Sequence, residues 1–119
     1  MKVKFIESEG REQRVRQGSH ELRSGDVYVV LGAECQSDGQ NYFRIEHSSN
    51  DLPSLFDSRL FEVVDDSIDP NWTIRIGWDG SVVMQPDTWQ REGFWEDFTN
   101  YDPHAVESYR HWRDVLLVR

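Results

Sequence analysis

The 119-residue chain has a single cysteine, Cys35, so no disulfide can form within it, and a lone thiol suits a reducing compartment. A nucleophilic cysteine needs a neighbouring base and a lowered pKa, and Glu34-Cys35-Gln36 carries no signature of either. Long apolar runs are missing too. No stretch approaches the roughly 20 apolar residues of a membrane span, and Val3-Lys4-Phe5-Ile6 is too short for the apolar region of a secretory signal. The sequence therefore reads as cytoplasmic, and the Asn71-Trp72-Thr73 sequon means nothing without secretion. Proline is too sparse to mark a linker, and no repeat or low-complexity segment is present.

Catalytic and cofactor patterns are equally scarce. There is no glycine-rich phosphate loop and no GxSxG nucleophile context. His104 and His111 are seven residues apart with Glu107 between them, whereas zinc wants two His at i,i+4 or a third ligand. That spacing reads as a solvated helix face with a Glu107–His111 pair. Asp65, Ser67, Asp69 and Asn71 alternate like a calcium loop, but Pro70 replaces the turn glycine and Ile76 the bidentate Glu. The segment reads as a polar turn anchored by Ile68 and Trp72. Adjacent acids such as Asp65/Asp66 and Glu96/Asp97 seldom face one reacting bond. No catalytic residue, metal or cofactor is expected, and the chain reads as a binder rather than an enzyme.

What the sequence does have is aromatic mass and negative charge. Five Trp, six Phe and four Tyr supply area for one core despite a mean hydropathy of -0.72. The net charge of -9 is unevenly placed. Residues 1–24 hold six Lys/Arg against four Glu, whereas residues 25–119 hold seven basic and eighteen acidic side chains. Such a surface repels phosphate backbones and steers basic partners, so direct nucleic-acid binding is disfavoured.

A single domain in three zones is expected: a basic, partly irregular segment 1–24, a strand-rich zone 25–85 and a helical zone 86–119. Val3 and Phe5 suggest an opening edge strand, and residues 7–20 a loop or irregular hairpin. Asp26–Gly32 reads as one buried strand, answered by Asn41–Glu46 with Phe43 and Ile45 inward and Tyr42, Arg44 and Glu46 outward. Leu52–Asp57 reads as a turn of helix, and Leu60–Val64 as a third strand stopped by Asp65-Asp66. Asp79-Gly80 between two alternating runs predicts a hairpin with a type I′ turn. A short helix over about 92–98 and a longer one capped by Asp102-Pro103 close the chain. Strands first and helices last make the class α+β.

The stretch Trp89–Asp102 concentrates the residue types that dominate interfaces. The candidate partner-binding residues are Trp89, Glu92, Trp95, Glu96 and Asp97, with Asp65, Asp66 and Asp69 as a further acidic group. The alternative is that the stretch wraps the sheet with Trp89, Phe94 and Phe98 buried, leaving the acids as a rim.

Gly25-Asp26-Val27-Tyr28-Val29-Val30-Leu31-Gly32, Tyr42-Phe43-Arg44-Ile45 and Leu60-Phe61-Glu62-Val63-Val64 are similar to the opening strands of SH3-like β-barrels. The continuation through Ile68-Asp69-Pro70-Asn71-Trp72, the Asp79-Gly80 hairpin and Trp89…Gly93-Phe94-Trp95-Glu96 resembles the acidic, Trp-rich immunity proteins of bacterial polymorphic toxins. Together the likeness covers roughly residues 22–112. It implies a partly barrel-like antiparallel sheet with one or two C-terminal helices packed on it. It also implies a protein that blocks the active site or substrate groove of a cognate toxin domain, a basic one given complementary fields. The alternative is an SH3-like module for a protein or peptide, with Tyr28, Tyr42 and Trp78 as outward rings.

Overall fold

The computed structural model describes residues 1–6 and 10–118. The fold is α+β, with eight antiparallel strands in two sheets and two helices at the C-terminal end. Strands β1 (Lys2–Phe5), β2 (Val27–Val29) and β6 (Phe61–Asp65) form a three-stranded sheet in the order β2-β1-β6. Strands β3 (Gly32–Cys35), β4 (Asn41–Ile45), β5 (Ser54–Asp57), β7 (Trp72–Ile76) and β8 (Val82–Pro86) form the second, ordered β5-β4-β3-β8-β7. Neither sheet closes into a barrel. No helix among the described residues is long and apolar enough to cross a membrane.

The Asp26–Gly32 run is split between the sheets. Val27–Val29 pairs with β1, and the chain crosses at Val30 and Leu31, which are 1% and 0% exposed. There Val30 N–H donates to the Met1 carbonyl at 3.0 Å and Leu31 N–H to the Arg44 carbonyl at 2.8 Å, so each backbone group serves a different sheet. Strand β1 is central rather than an edge, pairing with β2 on one side and β6 on the other. Of the segment expected to be irregular, residues 7–9 lie outside the described residues. The rest forms a four-residue helix α1 (Gln13–Arg16) and a 3₁₀ turn, Ser19–Glu21, pinned by the buried Val15.

Leu52–Asp57 is extended rather than helical: Ser54–Asp57 is the edge strand β5, with Phe43 opposite Phe56. The helical character comes one step later, as a 3₁₀ turn at Ser58–Leu60. Asp57 caps it, accepting from Arg59 N–H at 2.9 Å and from the Arg59 guanidinium at 3.0 and 2.9 Å. These bonds to Arg59 hold the Asp57 carboxyl below its usual range, against the opposing effect of burial. A carboxyl depressed in the folded state contributes stability that is complete above the unfolded value, about 3.9, and is lost as pH falls through the folded one. We expect Asp57→Ala to lose about 1–3 kcal/mol at pH 7. In urea unfolding across a pH series, its gap from wild type should narrow below about pH 4.

The tight β3–β4 and β7–β8 hairpins of the large sheet use one turn design. In Gln36–Gln40 and Gly77–Ser81 the first N–H donates to the last carbonyl at 2.8 Å. Gly39 and Gly80 take φ of 89°. Asp38 and Asp79 each accept the N–H two residues on, at 2.9 and 3.0 Å. Asp79 itself is not left-handed, so the turn is a three-residue loop ending in a left-handed glycine rather than type I′. The Asp79 carboxylate favours it by also accepting the Ser81 hydroxyl at 2.7 Å.

Apart from the edge strand β7, where Ile74 and Ile76 are exposed, the large sheet is covered on both faces. Ala33, Phe43, Phe56 and Met84 share one face by register. There Phe61 of the small sheet meets Phe43 at 6.0 Å and Phe56 at 6.3 Å, edge to face. Arg44 and Gln85 lie buried on the other face, beneath the helices, with Thr73 on the same face but exposed. That cover buries Arg44 to 8% exposure, against its expected outward position. In the turn after β6, Trp72 is buried but Ile68 is 53% exposed and anchors nothing.

Candidate functional site

The last helix, α3 (Pro103–Leu117), starts where the sequence predicts: Asp102 accepts the Ala105 N–H at 3.0 Å, with Pro103 in the first turn. Its three- and four-residue apolar spacing buries Ala105, Tyr109 and Leu116. Helix α2 (Phe94–Thr99) packs beside it. The link between this helical layer and the sheet is a buried amide cluster. Gln90 donates to the Thr73 and Val83 carbonyls at 3.1 and 3.0 Å, and Gln85 donates to the Trp89 carbonyl at 2.9 Å. Arg75 adds a bond to the Gln90 carbonyl at 2.8 Å.

Clamped in this way, Trp89 becomes the centre of an aromatic stack. It lies 5.4 Å from Tyr109, 6.3 Å from Phe94 and 5.3 Å from Trp95. Phe98 completes the stack, 5.6 Å from Trp95 and 4.7 Å from Tyr109. The Arg44 guanidinium sits 3.7 Å over the Trp95 ring and donates to Glu34 at 3.2 Å. Burial pulls the Arg44 pKa down and Glu34 restores part of it.

Two recesses open beside the stack. The inner one, about 520 Å³, is lined by Arg44, Leu52, Trp95, Phe98, Tyr101 and Val106 among others. The outer one, about 540 Å³, runs along α3 past Glu107, His111 and Asp114. Tyr101, Val106 and Arg110 belong to both and form their common wall. Tyr101 is 81% exposed and left-handed, φ 61°. The other described non-glycine residues with positive φ, Ser49 and Asp51, lie on the loop across the inner recess. Each such residue stores about 1–3 kcal/mol of strain, which persists where surrounding structure imposes it.

A charge network fixes that loop to α3. Tyr109 donates its hydroxyl to Glu46 at 2.6 Å, and Arg113 donates to Glu46 at 3.2 Å and also to Asp51. Arg110 holds the same Asp51 at 2.8 and 3.0 Å. Burial opposes ionisation of Asp51, but the bonds from Arg113 and Arg110 outweigh it and hold the carboxyl below its usual range. Burial and the bond to Glu46 push the Tyr109 hydroxyl far up, so it remains a donor. Burial disfavours the Arg113 charge, yet Asp51, Asp114 and Glu46 raise its pKa.

The residues singled out from sequence divide into three sets. Trp89 is 1% exposed and Asp69 is 8% exposed, so both are interior, and Trp89 and Phe94 pack as a wrapped segment would. Glu92 and Glu96 are exposed, Trp95 lines the inner recess, and Asp97 is half-buried in an ion pair with Arg91 at 2.9 Å. Asp66 is exposed, and Asp65 is tied to the Ser67 hydroxyl at 2.6 Å. Asp65 and Asp69 sit in a cleft with Leu116, whereas Trp95 shares its recess with Val106. Ten helical residues separate those positions, about 15 Å. The acids therefore form two groups at opposite ends of α3, not one patch.

Arg44 and Tyr101 are the site residues that sequence reading passed over. Alternation assigns Arg44 to the solvent side, and no glycine or asparagine flags the left-handed turn at Tyr101. The rings proposed for a peptide groove do not assemble either: Tyr28 packs on the core, Tyr42 lines a cleft with Arg14, and Trp78 stands fully exposed on a hairpin tip. His104, Glu107 and His111 are all exposed, and no Glu107–His111 ion pair forms among the described residues. No cluster of three His, Cys, Asp or Glu side chains among the described residues is placed to hold a metal. No family model, curated protein or solved structure matches the chain.

Proposed function

We propose that this chain is a binding protein that neutralises a basic partner domain by occluding it, as the immunity proteins of bacterial polymorphic toxins do. The observation that supports this most directly is the outer groove. It presents an exposed Tyr101 on the same groove as Glu107 and Asp114, with Arg110 also on its wall, on a chain of net charge -9. A tyrosine with few rotatable bonds is a common interface anchor. Acids around it accelerate encounter with Lys- and Arg-rich surfaces and repel nucleic acid. On this reading the protein works in the cytoplasm, a reducing compartment that suits its one free thiol.

Co-expression with the toxin domain encoded beside it should restore growth, and the two chains should co-purify. If neither happens, the reading is wrong. Glu92, Glu96 and Glu107 are exposed, so replacing all three with Lys should leave the fold intact. We expect stopped-flow association to slow about tenfold at low salt, with a flatter salt dependence and little change in dissociation. An unchanged on-rate would remove the acidic rim from the interface.

A further inference from the structure

We propose that the inner recess is a binding site for a small organic acid, with one carboxylate carried on an apolar or aromatic body. The inference does not depend on the partner reading, because it rests on Arg44 and Trp95, which line only the inner recess, although Tyr101 is common to both. A guanidinium has five N–H donors in a planar fork suited to a carboxylate. Arg44 is 8% exposed, lines the recess, and spends a single hydrogen bond on Glu34 among the described residues. The remaining donors are held in place by stacking on Trp95 at 3.7 Å.

The charge balance narrows the ligand further. Glu34 already offsets part of the Arg44 charge, which favours a monoanion over a phosphate ester. A cationic ligand is disfavoured for a separate reason: the Trp95 face on which it would stack already carries the guanidinium. Asp51 and Arg110, also on the wall, are bonded to each other at 2.8 Å and add no net charge. The rest of the wall is mainly apolar, from Leu52, Trp95, Phe98, Tyr101 and Val106, with Asn50 and Thr99 as its polar members. A volume of about 520 Å³ suits a compact ligand with one ring rather than an extended chain. All three described non-glycine residues in the left-handed region lie on the two loops flanking this recess, as strained residues often do at ligand sites.

The test is a two-dimensional NMR titration of the intact protein with 3-phenylpropionate, its amide 3-phenylpropanamide, and 3-phenylpropylamine. The acid should move the Trp95 indole N–H and Tyr101 amide signals, and bind at least about tenfold more tightly than the amide. The amine should bind more weakly than either. Arg44→Gln made together with Glu34→Gln leaves no buried carboxylate unpaired, and should abolish the preference for acid over amide. Tyr101→Ala, at an exposed position, should weaken acid and amide alike by about fivefold. Equal affinity for acid and amide in the wild-type protein overturns the proposal, as does an absence of shifts at Trp95 and Tyr101. Neither outcome touches the partner reading, which is scored by growth and co-purification.

Discussion

Arg113→Ala is expected to lower the unfolding free energy by about 3–5 kcal/mol, because it strands charges that folding has removed from water. The Glu46 side chain is 2% exposed, and Arg113 is the only cation bonded to it among the described residues. Among the described residues the Tyr109 hydroxyl would remain as its single donor. Asp51 would keep Arg110, but the loop carrying it would lose its inner tether. The physical claim is that the loss comes from the orphaned carboxylate rather than from the missing pair. Glu46→Gln keeps an acceptor for Tyr109 and removes the charge, so Arg113→Ala with Glu46→Gln should recover about half of the loss. Urea unfolding of the four proteins in this cycle measures it. A double variant as unstable as Arg113→Ala would show that packing by the arginine stem dominates instead.

Trp89→Ala is expected to cost about 3–5 kcal/mol as well, through a different mechanism. Its ring is 1% exposed and touches Tyr109, Phe94 and Trp95, so truncation leaves a void with three aromatic walls. Trp89→Phe should lose about 1–3 kcal/mol, since most of the volume is retained. Because Trp95 leans on this ring, the inner recess should loosen together with the core. Thermal unfolding gives the first effect, and near-UV circular dichroism, dominated by coupled aromatic rings, gives the second. An alanine variant with unchanged near-UV signal would separate the recess from the stack.

Local pattern carried the secondary structure only where one element supplied the whole signal. Helix α3 was legible because its cap, its proline and its apolar spacing all lie within fifteen residues. The Trp72–Pro86 hairpin was legible from two alternating runs around Asp79-Gly80, although the turn's geometry depends on the Asp79 side chain. The Val27–Leu31 run was not, since a β-branched stretch reads alike whether it stays in one sheet or passes between two. Arg44 was misread because its side of the sheet is covered by residues fifty positions later, through Trp95. The aromatic stretch at 89–101 was recognised as unusual, but sequence does not decide which rings turn inward. Gln85 and Gln90 decide it, by tying the preceding turn to the hairpin.

The placement of β1 between β2 and β6 has a consequence for how the chain acquires its shape. Lys4 pairs with Val27 on one side and with Glu62 on the other. Strand β1 is thus completed only after β6, more than fifty residues further along, has been made. During synthesis Val3 and Phe5 must wait for Phe61, whereas the β3–β4 and β7–β8 hairpins need only their own turns. Closure of long loops is the slow part of such topologies. Assembly of the small sheet therefore waits on a long-range closure, and once made it joins Val3, Phe5 and Phe61 to the same buried cluster that Trp89, Phe94 and Tyr109 of the helical layer complete.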